Sequence, residues 1–385
     1  MGVVPEAAAS DEAIGAVEQE RRTTPVELLW DLVFVFAVTQ VTTLLSRTLT
    51  WAGFGRSMLV LALIWWAWSA FVWATNAESA GSWAVTAVLL PATAFIFIAG
   101  IVVPRVFHTE ATLFASTYAV VRLLHLALYA DASRKGAANW SSIAGFAVTV
   151  VLGMALLVVG SFLAGAARLA LWGAAVVIDY AGPLLTRERL RALQEVAVAH
   201  FAERYGLFVI IALGESIVAI GVRARGIHLD AETVGAAALC LLITIGLWWT
   251  YFSRFAAKAE SRLRGHSEPV LAASDAYSYL HLVVVAGIIA FGVGASRVIA
   301  AGGGTLADSA RLALCGGVAL YLAGLVVVRW RLLGSLPLLK LIAAIVLVAI
   351  GALAAGLPAW AAAAIVAFLL AIVSAGEVLL ESATG

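Results

Sequence analysis

Apolar runs of about twenty residues, repeated along almost the whole chain, constrain its fold more than any other feature. A helix needs about 20 apolar residues to cross the hydrocarbon core of a bilayer. Strands of a membrane β-barrel alternate polar and apolar residues, whereas these runs are continuously apolar. The pattern predicts an all-α polytopic membrane protein with about 12 transmembrane helices, eleven being the alternative count. The predicted spans lie at 27–46, 57–76, 83–103, 112–130, 142–164, 168–186, 201–222, 233–253, 275–298, 309–328, 332–355 and 358–379.

The composition supports this class and excludes several others. Of the 385 residues, 63% are hydrophobic and 12% are charged, whereas soluble domains carry about 25% charged residues. The spans leave no room for a sizeable soluble catalytic module, nucleotide-binding domain or receptor ectodomain. A formal net charge of +1 gives no basic field for nucleic acid. The expected partners are the lipid bilayer and a small molecule or ion that the sequence does not identify.

Charged segments outside the spans predict the orientation. Residues 1–22 are acidic and lack the apolar core of a signal peptide, so we expect a disordered cytoplasmic tail. Lys and Arg are more frequent in the segments that share a side with this tail, and such a bias marks the cytoplasmic side. We expect a multi-pass protein of the inner (plasma) membrane with both termini in the cytoplasm.

The first and seventh spans share a sequence pattern. Glu27 precedes an apolar stretch that ends at Gln40, and Glu203 precedes a similar stretch that ends at Glu215. A tryptophan cluster follows each stretch in the next span. The repetition predicts two related six-helix halves. The predicted units are the tail at 1–22, an N-terminal half at 23–186, a cytoplasmic linker at 187–199 and a C-terminal half at 200–385.

Charged side chains inside the spans are the main candidates for function. A charge near the bilayer centre costs about 2.5–3.5 kcal/mol on insertion scales, so such residues usually face the bundle interior and mark functional paths. Glu27 and Asp31 lie one turn apart on one helix face, where two dehydrated carboxylates suit a proton or cation site. Arg122 shares a stripe with His125 and lies too deep to snorkel, which predicts a carboxylate partner.

The later spans add further charged and titratable groups. Arg204 and Glu215 are about 16 Å apart along one helix, so each needs a partner on another helix. Asp179 precedes Pro183 in a segment that can break a helix, as in transporter sites. The alternative role for each group is a structural ion pair or hydrogen bond. The predicted proton, ion or substrate network is Asp31, Glu27, Gln40, Arg122, His125, Asp179, Glu203, Arg204, Glu215 and His281.

The thirteen tryptophans mostly lie near span ends, where the ring normally anchors the helix at the interface. Two clusters are dense enough to line a cavity for an apolar or aromatic ligand. The candidates for this lining are Trp65, Trp66, Trp248, Trp249 and Tyr277.

Motifs for other chemistries do not occur in the sequence. It has no phosphate-cradling Gly-Lys-Ser loop, no metal-ligand spacing of Cys or His, and no Gly-x-Ser-x-Gly elbow. Cys240 and Cys315 lie in apolar runs, where a cysteine acts as a small hydrophobe. We expect no metal, no cofactor and no disulfide, and we assign no catalytic residue.

Several of these segments resemble the signatures of one family, the bacterial low temperature requirement A (LtrA) membrane family. The first signature is similar to Val26 through Gln40, and the second to His200 through Ser216. The segments Arg122 to Tyr129 and Tyr277 to Leu282 and the Trp-Trp pairs also fit, and the resemblance covers about residues 22–300. It implies a multi-span bacterial inner-membrane protein linked to growth at low temperature. It implies no particular substrate or catalytic residue.

Three functions are compatible with these residues. The first is a transporter or permease that couples a proton or ion through the carboxylate, Arg and His network. The second is an intramembrane enzyme with a carboxylic acid as general acid in a closed pocket lined by Trp65, Trp66 and Trp248. The third is a membrane-structural protein linked to cold growth, in which every polar group is paired. We favour the transporter, and an enzyme is the less expected outcome.

Overall fold

The computed structural model describes residues 23–78, 82–136, 140–188, 197–225 and 230–382. The tail predicted at 1–22 and most of the linker predicted at 187–199 lie outside the described residues. The described residues form helices α1 (Pro25–Arg47), α2 (Trp51–Ala77), α3 (Trp83–Val102), α4 (Ala111–Arg134), α5 (Trp140–Ser161), α6 (Gly165–Leu185), α7 (Val198–Ala224), α8 (Ala231–Phe252), α9 (Phe255–Arg264), α10 (Pro269–Ala301), α11 (Asp308–Leu333), α12 (Leu338–Leu353) and α13 (Ala359–Ser382).

Among the described residues, eleven segments are long and apolar enough to cross a membrane, and α12 is a shorter apolar helix. This confirms the predicted all-α polytopic membrane fold. The division of the chain into two related halves stays a prediction.

The predicted span at 332–355 is longer than the helix that forms there. Helix α11 continues through Leu333 and ends at Gly334, whose φ of 67° is left-handed. Helix α12 has 16 residues, which is about 24 Å at 1.5 Å per residue. It still runs alongside α11, because Arg311 Nε at the start of α11 donates to the Gly351 carbonyl near the end of α12 at 2.9 Å.

The two ends of the bundle are defined by α1. At the near end, where α1 begins, Thr23 Oγ1 donates to Glu203 Oε2 at 3.0 Å and so joins the starts of α1 and α7. At the far end, where α1 finishes at Arg47, a short turn leads into α2. Helices α1 and α7 therefore cross the bundle side by side in the same direction.

Helix α10 contains an irregular segment. Residues Ser274–Leu280 form a π-helical turn between the α-helical pieces Pro269–Ala273 and His281–Ala301. Such bulges widen a helix by one residue per turn and occur frequently at functional sites. The turn brings Ser274 and Ser278 to the inner side of the helix, where both are buried.

Glycines allow α10 and α11 to pack backbone against backbone. A Cβ atom on Gly294 would clash with the Leu314 backbone nitrogen, and one on Gly317 would clash with the Phe291 backbone nitrogen. Neither position has room for a methyl group unless the helices separate. Small residues at such contacts are a general means of packing membrane helices closely.

We expect Gly294→Ala to lower the free energy of unfolding by about 1–3 kcal/mol, as overpacking of a close contact does. The check is the thermal midpoint of the purified protein in detergent. Gly316→Ala is the matched control, because a Cβ on that glycine of α11 meets nothing within 4 Å. Equal midpoints for the two variants would contradict the close contact.

Candidate functional site

A buried ion-pair network joins α1 to α7 in the near half of the bundle. The guanidinium of Arg204 donates to both carboxylate oxygens of Asp31, and it reaches Glu27 Oε1 at 3.4 Å. His200 Nε2 lies 3.3 Å from Glu27, and Trp68 Nε1 donates to Asp31 Oδ1 at 2.7 Å. Arg204, Glu27 and His200 are fully buried. Arg204 was expected to need a partner on another helix, and that partner is the pair of carboxylates on α1.

Local structure explains why Glu27 lies in this network. It is the third residue of α1, where its carboxylate accepts from the backbone N–H of Thr24 at 2.9 Å and forms a capping box. Asp31 lies one turn later on the same face. The Glu27 carboxylate caps its own helix, and the two carboxylates accept hydrogen bonds from Arg204 and Trp68. The arrangement therefore acts as a fixed cross-link between helices.

A second buried ion pair joins α4 to α6. Arg122 Nη2 lies 2.7 Å from Asp179 Oδ1, and both side chains are buried. In the described part of the chain, Nε and Nη1 of Arg122 and Nδ1 of His125 have no hydrogen-bond partner. Pro183 lies in the last turn of α6, so the helix remains intact at Asp179 rather than breaking there as the sequence suggested.

Arg122 and His125 line a small cavity in the near half. Its volume is about 60 Å³, which accommodates a few water molecules at 10–15 Å³ each. Trp66 and Ser278 also line it. A cavity of this size has room for water that would satisfy the remaining guanidinium N–H groups of Arg122.

Hydrogen bonds connect this cavity to the centre of the bundle. The Tyr205 hydroxyl lies 2.7 Å from Ser69 Oγ and 3.0 Å from Ser278 Oγ. Trp73 Nε1 donates to Ser278 Oγ, and Trp65 Nε1 donates to the Ser278 carbonyl. Neither Ser69 nor Ser278 stands out in the sequence, because a single serine in an apolar span also occurs as a packing residue.

His281 belongs to a separate hydrogen-bonded pair. Its Nδ1 lies 2.8 Å from the Ala276 carbonyl, and its Nε2 lies 2.9 Å from the Tyr251 hydroxyl. Because a carbonyl only accepts, Nδ1 carries the proton and Nε2 accepts from Tyr251. Tyr277 stacks on the imidazole with ring centroids 4.7 Å apart. Both ring nitrogens are thus satisfied in the neutral form.

Glu215 lies apart from these pairs, in the far half of the bundle. It is 6% exposed, and its carboxylate accepts a hydrogen bond from Thr39 Oγ1 on α1. Among the residues that the structure describes, no cation forms an ion pair with it. Thr39 precedes the predicted Gln40, which is half-buried. A carboxylate that is nearly buried and bonded to a neutral hydroxyl is suited to bind a proton or a cation.

Glu215 lines a polar cleft at the far end between α1, α7 and α10. The cleft has a volume of about 400 Å³, and the rim residue Arg223 is exposed. Hydroxyl groups dominate its polar lining, and Arg297 is held beside it by a 2.6 Å hydrogen bond to the Ser46 carbonyl. The hydroxyl-bearing residues of the lining are Thr39, Thr42, Thr43, Ser46 and Ser296.

An aromatic layer separates the near clusters from the far cleft. The rings of Trp65 and Trp68 pack against Tyr205 and Phe208, with centroids 4.4–5.7 Å apart. Tyr205 and Phe208 lie between Arg204 and Glu215 along α7. The four rings of the aromatic layer are all buried. The four rings therefore lie in the interior between the two polar regions.

The remaining predicted residues lie in different surroundings. Trp66 lines the near cavity and stacks on Tyr180 at 3.9 Å. Trp248 and Trp249 are 43% and 42% exposed, so they lie on the outer surface rather than in the pocket suggested for them. Glu203 is exposed at the near end. The ten predicted network residues are thus distributed over several separate groups.

Metal-binding groups are not found among the described residues, which hold no cluster of three His, Cys, Asp or Glu side chains suited to an ion. Cys240 and Cys315 are both buried free thiols.

Comparisons with known proteins identify relatives that match most of the chain. The family described as "Bacterial low temperature requirement A protein (LtrA)" matches residues 22–375, which confirms the resemblance and extends it through the final spans. An uncharacterized protein of Rhizobium meliloti (strain 1021) is 29% identical over 317 residues, covering 80% of this chain and 76% of that protein. No solved structure matches the chain significantly.

Proposed function

The chain belongs to the bacterial low temperature requirement A family, and we propose that it is a proton- or ion-coupled transporter or permease within that family. The observation that carries the proposal is Glu215, a nearly buried carboxylate whose observed hydrogen-bond donor is the neutral Thr39. The hydroxyl groups that line its cleft would form a route by which an ion or proton reaches Glu215 from the far side.

The contrast with the other carboxylates supports this choice. Asp31 and Asp179 each face an arginine, so protonating either one would remove a counter-charge from a buried guanidinium. Glu215 faces a hydroxyl that can donate to the ionised form or accept from the protonated form. Glu215 therefore changes protonation without breaking an ion pair.

The arrangement of polar regions supports a carrier. A cavity with Arg122 and His125 lies in the near half, and the Glu215 cleft lies in the far half, with the aromatic layer between them. Alternating access requires such a closed layer, which opens toward one side at a time. The π-helical turn of α10 beside this layer supplies an irregular segment at which helix movement can begin.

The proposed orientation places the near end in the cytoplasm of an inner-membrane protein. Lys and Arg are more frequent at that end in the sequence, as the positive-inside rule predicts for the cytoplasmic side. Among the described residues, those in the near-end segments are Arg134, Lys135, Arg187, Arg254, Lys258, Arg262, Arg264, Arg329 and Arg331.

The proposal is tested by charge movement in proteoliposomes on a solid-supported membrane. A jump in proton concentration, or in Na⁺ or K⁺ concentration, produces a transient current where a site inside the membrane takes up the ion. We expect a current from the wild type and at least a tenfold smaller one from Glu215→Gln. Glu232→Gln is the control, because Glu232 is an exposed carboxylate at the far end. A wild type without current for every ion, or a Glu215→Gln variant with full current, would overturn the proposal.

A further inference from the structure

Two arginines lie at the mouth of the far cleft. Arg297 of α10 and Arg223 of α7 both line it, and in the described part of the chain neither forms an ion pair with a carboxylate. Glu215, Arg223 and Arg297 are the ionisable side chains of the described lining. Because arginine keeps its charge, the cleft carries two positive charges and no negative one when Glu215 is protonated.

The helices place these charges at different depths. Gly292 of α10 packs against Ser216, the neighbour of Glu215, so this part of α10 is level with the carboxylate. Both helices run toward the far end here. Arg297 follows Gly292 by five residues, which is about 7.5 Å. Arg223 follows Glu215 by eight residues, which is about 12 Å. The cleft thus has a carboxylate at its floor and guanidinium groups at its mouth.

Arg297 is held in place at this mouth. It donates to the Ser46 carbonyl at 2.6 Å, which fixes the guanidinium but supplies no negative charge. Most hydroxyl groups of the lining already donate to carbonyls of their own helices, namely those of Thr42, Thr43, Ser46 and Ser296. The donors that remain for a ligand are the guanidinium groups, whose fork of N–H groups matches the two oxygens of a carboxylate.

The cleft also has room and apolar surface for an organic molecule. Its volume of about 400 Å³ lies within the range of small-molecule sites, about 300–1,000 Å³. Val218, Val222 and Val293 contribute to the lining. A hydrocarbon chain would contact these side chains, whereas inorganic phosphate has no apolar part to do so. A short organic carboxylate therefore matches both the charged and the apolar lining.

We propose that the far cleft binds a small organic carboxylate, whose oxygens accept hydrogen bonds from Arg297 and Arg223 while Glu215 below them is protonated. The inference rests on the proposed function, in which Glu215 takes up a proton or ion, and it assigns a chemical class to the substrate. An ionised Glu215 repels a carboxylate at the mouth across about 10 Å. Protonation of Glu215 and binding of the anion therefore favour each other.

The experiment measures butyrate binding to the purified full-length protein in detergent, by isothermal titration calorimetry in mildly alkaline buffer. Butyramide, which has the same chain without the charge, and inorganic phosphate are the comparison ligands. We expect the wild type to bind butyrate at least tenfold more tightly than either. Arg297→Gln and Arg223→Gln should each weaken butyrate binding at least tenfold, as the loss of a charged hydrogen bond does.

The matched control is Arg225→Gln, which removes the same charge from an exposed position just beyond α7. It should keep the wild-type affinity for butyrate. Glu215→Gln imitates the protonated form and should bind butyrate about tenfold more tightly than the wild type, since it removes the repulsion between like charges about 10 Å apart. The thermal midpoint without ligand reports whether each variant is folded.

Three results would overturn the proposal. They are a wild type that does not bind butyrate, equal losses in Arg297→Gln and Arg225→Gln, and equal affinities of Glu215→Gln and the wild type. Tighter binding of phosphate than of butyrate would also overturn it and assign the mouth to an inorganic anion. An ion-jump current without butyrate binding contradicts this inference alone, whereas butyrate binding without a current contradicts the proposed function.

Discussion

Arg204→Met is expected to lower the free energy of unfolding by about 3–5 kcal/mol, the usual result of removing one partner of a buried ion pair. Arg204 is fully buried and donates to Asp31 and Glu27. Without it, two carboxylates one turn apart on α1 would repel each other inside the bundle. The measurement is the thermal midpoint in detergent together with the fraction of monodisperse protein after size exclusion.

The control for this prediction is Arg225→Met, the same substitution at an exposed arginine just beyond α7. It should leave the midpoint near that of the wild type. Arg204→Lys keeps the charge but loses the two-pronged donation to Asp31, so it should fall between the wild type and Arg204→Met. If Arg204→Met unfolded at the wild-type temperature, the cross-link between α1 and α7 would not contribute to stability.

Asp179→Leu is expected to have an effect of similar size, about 3–5 kcal/mol, because it leaves Arg122 buried without a carboxylate. Adding Arg122→Met should restore most of the loss, since replacing both members of a buried pair by apolar residues is often neutral. The double-mutant cycle is measured by thermal midpoint. Asp131→Leu, at a partly exposed carboxylate near the end of α4, is the control.

The same double variant separates a structural pair from a transport residue. If Arg122 and Asp179 only join α4 to α6, Arg122→Met/Asp179→Leu should fold and keep the ion-jump current that depends on Glu215. Loss of that current in a folded double variant would instead place Arg122 in the transport path. A double variant that unfolds more easily than Asp179→Leu would contradict the expected compensation.

The sequence predicted the membrane fold because each span needs a fixed length of apolar residues, and that length is visible in the chain. It selected Asp31, Arg204 and Arg122 as groups needing partners, because an isolated buried charge is too costly. It did not show that Asp31 and Arg204 pair with each other, or that Arg122 pairs with Asp179. Helical spacing shows which face carries a residue, but lipid-facing and helix-facing surfaces are equally apolar, so the neighbour of that face remains undetermined.

The features that the sequence analysis missed depend on tertiary contacts. Thr39 and Ser278 take part through hydrogen bonds to residues on other helices. No spacing pattern in the sequence predicts such a bond for a single hydroxyl. The π-helical turn at Ser274–Leu280 contains no proline or glycine from which it could be predicted. Trp248 and Trp249 form a pair in the sequence like Trp65 and Trp66, yet they are exposed.

The short helix α12 has a consequence for the surrounding bilayer. Its outward side chains, among them Ile342, Ile345 and Val348, are exposed along a helix of about 24 Å, whereas a hydrocarbon core is about 30 Å thick. We expect the bilayer beside α12 to thin to match it, at a cost of fractions of a kcal/mol per Å. Bilayers with shorter or less ordered acyl chains should then accommodate this side of the bundle more easily.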